Sequence, residues 1–132
     1  MSVFLTVRGN LGQTIALKSI QTGRNGGESN QVLIFSVASS RYKRQNVDGK
    51  DQLVSVGPAE WVTCEYWNRR AEHLSKVLAK GMPVTVEGEE ITEFYTHKDT
   101  GQEVKARKLR VEKIYLNLDS ERIESITLKP PR

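Results

Sequence analysis

An all-β barrel with one short helix is the fold class expected for this chain, and three observations predict it. Strand-like alternation of apolar and polar residues recurs in about five segments. Helical spacing occurs in one stretch only, after the third of those segments. Turns rich in glycine, asparagine and aspartate separate the strands. With 132 residues, the chain has room for one domain with a modest core and not for two ordinary ones.

Val3, Leu5 and Val7 alternate with Phe4, Thr6 and Arg8, a first strand expected to end at Gly9-Asn10-Leu11-Gly12. Residues 14–21 continue the sheet beyond that bend. Gly23-Arg24-Asn25-Gly26-Gly27 tolerates positive φ and leads into an apolar strand over 32–38, so the two strands read as a hairpin. Residues 41–57 are polar and without period, and read as a long mobile loop. The next strand contains Glu60-Trp61-Val62-Thr63-Cys64-Glu65-Tyr66-Trp67. Asn68 is placed to cap a helix carried by Ala71, Leu74 and Leu78, which Gly81 and Pro83 stop. Residues 84–96 and 103–118 are again strand-like, with Asp99-Thr100-Gly101 as their turn. Five strands with a helix after the third form the pattern of the OB-fold, a Greek-key barrel in which strands 2 and 3 face the ligand.

Both tryptophans fall on one parity of their strand. Trp61, Thr63, Glu65 and Trp67 point one way, and Val62, Cys64 and Tyr66 the other. Because the second set already supplies an apolar face, the indoles read as exposed platforms on which unpaired bases could stack without their sequence being read. Burial against a partner subunit or the helix is the competing reading, since aromatic residues also favour interfaces. The net charge of +4 gives mild support for a polyanionic partner.

Other chemistries find little footing. Cys64 sits on the apolar parity without a second cysteine, which fits a small buried hydrophobe in a reducing compartment. His73 and His97 have no partners at ligand spacing, so no metal and no cofactor are expected. No phosphate loop, nucleophile elbow or zinc-protease motif is present, and an enzyme is not expected. No apolar run is long enough to span a bilayer and no signal segment stands at the start, so a soluble, intracellular protein is expected.

Val7-Arg8-Gly9-Asn10-Leu11-Gly12, Phe35-Ser36-Val37-Ala38, Glu60-Trp61, Ala71-Glu72, and Lys80-Gly81 followed by Val84-Thr85-Val86-Glu87-Gly88 resemble, in order and spacing, the bacterial single-stranded DNA-binding protein family. The resemblance spans about residues 1–118 and implies an OB-fold DNA-binding domain there, with 119–132 as an extension. It implies stacking on Trp61, on Trp67 six residues later on the same face, and on Tyr95. Phe94, of opposite parity, is expected to pack. The family's remaining aromatic falls near Tyr42 or Lys43. Arg41, Lys43 and Arg44 in the loop, Arg69 and Arg70 before the helix, and Lys105, Arg107 and Lys108 on the last hairpin are the candidates for phosphate contacts, although such clusters are also common as solvated surface. Glu65, between the indoles, argues against a purely cationic track.

The resemblance further implies a homo-oligomer, a homotetramer or less often a dimer, serving DNA replication, repair or recombination. The expected location is the cytoplasm, associated with the nucleoid, or the plastid stroma for an organellar member. A long linker with an acidic tip is absent and the chain ends Lys129-Pro130-Pro131-Arg132. Recruitment of partners through an acidic tail is therefore not expected, and a specialised or accessory member is. A primosomal-type accessory protein and an OB domain used for protein contact are the alternatives.

Overall fold

The computed structural model describes residues 3–21, 29–39, 42–55 and 58–131. Its elements are β1 (Phe4–Gln21), β2 (Ser29–Ser39), β3 (Tyr42–Val47), β4 (Lys50–Ser55), β5 (Glu60–Trp67), α1 (Ala71–Val77), β6 (Pro83–Thr96) and β7 (Glu103–Leu116). Five strands close a barrel in the order β1-β2-β5-β7-β6, and β3 and β4 form a separate two-stranded sheet. The closing contact is short and parallel, pairing Cys64 with Leu109 and Glu65 with Arg110.

Gly9-Asn10-Leu11-Gly12 does not end the first strand. β1 runs on through it, pairing with β6 from Phe4 to Asn10 and with β2 from Asn10 to Gln21, with a register irregularity between Leu11 and Ile15. A strand this long cannot stay on one partner in a twisted sheet, and the irregularity lets it bend from one wall of the barrel to the next. The β1–β2 hairpin is as expected. Gly88 plays a related part in β6: it is buried at a bulge, where a Cβ would lie 2.1 Å from the Arg110 carbonyl oxygen.

The interior is the apolar parity of each strand. Leu33, Phe35 and Val37 of β2, Cys64 and Tyr66 of β5, Val84 and Val86 of β6, and Leu109 and Val111 of β7 form the core with Leu11 and Ala71. Each large side chain removed from water contributes about 1.5–3 kcal/mol. Burial pushes the Cys64 thiol up to about 12, so it stays protonated and unreactive at neutral pH.

α1 covers one end of the barrel through buried Ala71 and half-buried Leu74 and Leu78. Asn68 does not cap it. The capping position is Arg70, with no side-chain hydrogen bond. The Asn68 side-chain oxygen accepts the Arg70 N–H at 3.1 Å, and its carbonyl accepts the Ala71 N–H at 2.9 Å. Asn68 thus closes a turn that leads into the helix, because its short side chain reaches only two residues on.

The expected loop over 41–57 contains a hairpin instead. β3 and β4 pair from Tyr42–Ser55 to Val47–Lys50, leaving Asp48 and Gly49 as a two-residue turn with φ of 52° and 83°. Two consecutive positive φ values match a type I′ turn, which suits the twist of a hairpin. The Asn46 side-chain oxygen accepts the Gly49 N–H at 3.0 Å. Residues 46–52 are all exposed, so no core-facing alternation marks the tip of the ribbon, and Asp48-Gly49 is the signal that betrays it. Past β7, Asp119 receives the Arg8 guanidinium at 2.8 Å, and Arg122 donates to the Asn10 side chain and the Gly81 carbonyl. No helix among the described residues is long and apolar enough to cross a membrane.

Candidate nucleic-acid interface

The outer face of β5 is built from the residues that strand parity turns away from the core. Trp61 is 64% exposed and Trp67 37%, about 20 Å apart for six residues of strand. Across β2 their partners are small or aliphatic: Ala38 opposite Trp61, Ser36 opposite Thr63, Ile34 opposite Glu65 and Val32 opposite Trp67. Gly12 of β1 completes this floor. A Cβ on Gly12 would stand 2.7 Å from Cζ3 of Trp61 and 3.5 Å from the Ser36 Cβ. The six-membered ring of Trp61 therefore reaches over β2 onto Gly12, and only the missing side chain leaves room for it.

Trp67 is held differently. Its indole N–H donates to Oε1 of Glu65 at 3.4 Å, it pairs across the strands with buried Val32, and it lines a cleft with Asn30, Gln31 and Arg69. Trp61 lines a second cleft with Leu5, Val62, Arg107 and Lys108. Both indoles thus have cations beside them.

The cations are not equivalent. Nζ of Lys108 lies 3.2 Å from Glu65 and 2.6 Å from Glu93. The hydrogen bond to Glu93 raises its pKa, burial opposes, and Glu65 adds to the rise, so Lys108 is charged throughout the neutral range. Lys108 thus gives Glu65 a counter-ion but shares it with Glu93, so the face between the indoles is not a purely cationic track. Arg107 lies 3.4 Å from Glu90 through Nε but is mostly exposed. Lys105, Arg69 and Arg70 are exposed and make no ion pair among the described residues. Arg41 and the side chains of Tyr42, Lys43 and Arg44 lie outside the described residues.

Beyond Ile91 the β6–β7 hairpin leaves the barrel, and residues 92–103 are exposed throughout. Tyr95 is 52% exposed and shares a parity with Ile91 and Glu93, which pair with Lys108 and Ala106. Through Lys108 that face continues the face of Glu65 and Trp67. Phe94 is 64% exposed and packs on nothing in the core, contrary to expectation. Once a two-stranded ribbon leaves the barrel neither of its faces has a core beneath it, so parity no longer assigns an inside. Lys105 and Arg107 pair with Phe94 and Thr92 and so lie on the Phe94 side of the ribbon, away from Tyr95. Gly12 as the seat of Trp61 was invisible to sequence reasoning, because the contact joins two strands that do not pair with each other.

Solved structures share this fold, among them the following two. The small single-stranded DNA-binding protein of Streptomyces coelicolor aligns with a TM-score of 0.65 at 19% identity, over 89% of this chain and 95% of that one. An SSB of Plasmodium falciparum, solved in complex with ssDNA, aligns with a TM-score of 0.60 at 19% identity, over 86% and 90% of the two chains. No curated protein matches the sequence. The sequence model of the Single-strand binding protein family matches residues 3–117, nearly the whole chain, and the protein belongs to that family.

Proposed function

We propose that the protein binds single-stranded DNA without reading its sequence, stacking bases on Trp61, Trp67 and Tyr95. Arg69, Arg70, Lys105 and Arg107 steer the backbone, with Arg41, Lys43 and Arg44 as further contacts and Tyr42 as a further stacking position. The single observation that carries this reading is Trp61, 64% exposed on a strand of a closed barrel and seated on Gly12. A large indole held open to solvent by a residue without a side chain has no use in folding the domain. The role is binding and not catalysis. Residues 1–118 are assigned to the binding domain and 119–132 to an extension.

The expected setting is DNA replication, repair or recombination in the cytoplasm. A homo-oligomer, tetramer or dimer, is supported by exposed Phe4 and Tyr115 on the outer wall of β1, β6 and β7. A monomer in sedimentation at micromolar concentration contradicts that part. The test of binding is tryptophan fluorescence during titration with oligo(dT) at two salt concentrations, with duplex of equal length as control. Quenching by the single strand, weakened by salt and absent with duplex, is the expected result. Absence of both quenching and binding overturns the reading and leaves an OB domain that contacts protein.

A further inference from the structure

Lys108 faces two carboxylates on two different elements. Glu65 lies on β5, between the two indoles, and its side chain is only 13% exposed. Glu93 lies on the projecting hairpin, two residues before Tyr95 and on the same side of the ribbon. The ammonium has three donors, and two of them are committed, at 3.2 Å and 2.6 Å. The Glu65 oxygen that accepts from Lys108 also accepts from the Trp67 indole. A single chain of contacts, Trp67–Glu65–Lys108–Glu93, thus crosses three strands and ends beside Tyr95.

We infer that Lys108 is a positioning residue: it holds Trp67 and the Tyr95 hairpin in fixed relation and makes no phosphate contact of its own. This rests on the single-strand reading of the face. Two carboxylates and one ammonium leave the cluster with a net negative charge, so a phosphate approaching Lys108 meets repulsion from Glu65 and Glu93. Releasing the ammonium to a phosphate would also strand the nearly buried Glu65 without its partner, which is costly. Among the described residues the other links between hairpin and barrel are the β6–β7 ladder and the Arg107–Glu90 ion pair, both internal to β6 and β7, which fix register but leave the ribbon free to twist against β5. Lys108 supplies the tie that the ladder lacks.

The experiment compares the parent with Lys108→Met and Glu93→Gln, each also in a Trp61→Phe background where Trp67 is the sole tryptophan. Both substitutions are expected to weaken oligo(dT) binding about tenfold, the scale of a broken charge-assisted network. The slope of log K against log salt should stay at the parent value, and in the free protein Trp67 should become more accessible to acrylamide. Glu93→Gln gives the sharper sign, because it removes a negative charge from the face and electrostatics alone would tighten binding. Lys108→Arg, which can keep both contacts, should restore affinity and Trp67 shielding. A slope reduced by about 0.7 in Lys108→Met, the value of one phosphate contact on a single strand, overturns the inference. Tighter binding by Glu93→Gln overturns it, as does unchanged Trp67 accessibility in both variants. Failure of the underlying reading is distinct: there the parent itself does not bind oligo(dT), whatever acrylamide reports.

Discussion

The strand β5 and the outer half of the β6–β7 hairpin both present aromatic rings to solvent, but they hold them in opposite ways. β5 is paired along its whole length with β2 and in its middle with β7, and beneath Trp61 lies a floor of Ala38, Ser36 and Gly12. In the outer hairpin, residues 92–96 ladder only with residues 103–107, and residues 92–103 are all exposed. The ring of Trp61 therefore enters binding already oriented, whereas Tyr95 must be ordered when a strand arrives, and ordering a side chain costs about 0.5–1.5 kcal/mol. The difference teaches that exposure alone does not make a platform; what lies under the ring decides how much of its stacking energy appears as affinity.

Substitutions at the two regions sharpen or break that contrast. Trp61→Ala and Trp67→Ala should each lose about 1–3 kcal/mol of binding, with the circular dichroism of the free protein unchanged. Gly12→Val should come next. It places a branched Cβ 2.7 Å from where Cζ3 of the Trp61 ring now rests and should weaken oligo(dT) binding about tenfold, as expected when an oriented contact is displaced. In a Trp61→Ala background the same Gly12→Val change should have no effect on affinity, and full additivity would show that Gly12 does not act through Trp61.

Tyr95→Ala should cost less than either tryptophan, about 1 kcal/mol, and Tyr95→Phe close to nothing, since the ring face and not the hydroxyl carries the contact. A loss at Tyr95 equal to that at Trp61, by the same titration, would erase the distinction between a seated and a free platform. The smallest effect lies away from both regions. Arg8 holds the Asp119 carboxyl below the usual carboxylate range, first through its hydrogen bond and then through its charge. A depressed folded-state pKa gives stability that is present above the unfolded value of about 3.9 and is lost as pH falls through the folded value. Arg8→Gln should therefore melt slightly below the parent at pH 6, and the gap should close as the pH drops below about 4. DNA binding near neutrality should not respond to that ion pair at all.

Much of the barrel was legible because its strands are amphipathic. The alternation of Val62, Cys64 and Tyr66 with Trp61, Glu65 and Trp67 gave both the inside of β5 and its outer face, and the burial agrees except at Glu65, which Lys108 covers. The β3–β4 ribbon was not legible by that means, because its tip, residues 46–52, is exposed throughout and imposes no alternation. Only the Asp48-Gly49 step marks it, through the positive φ values that its turn demands. Phe94 was misassigned for the same reason: parity names two sides, and the fold says whether either of them has a core.

The site divides along the same line. Strand period and residue type by themselves determined the barrel class, the core side of each barrel strand, the exposure of Trp61 and Trp67, and the presence of cations nearby, because all of these follow from local geometry that repeats every two residues. Which cation is free and which is tied was decided only by the tertiary structure. Lys108 meets Glu65 because β7 closes the barrel beside β5, and Trp61 rests on Gly12 because β1 bends from β6 to β2. Those contacts join residues far apart in the chain, and closure of the barrel, which no local period encodes, is what brings them together.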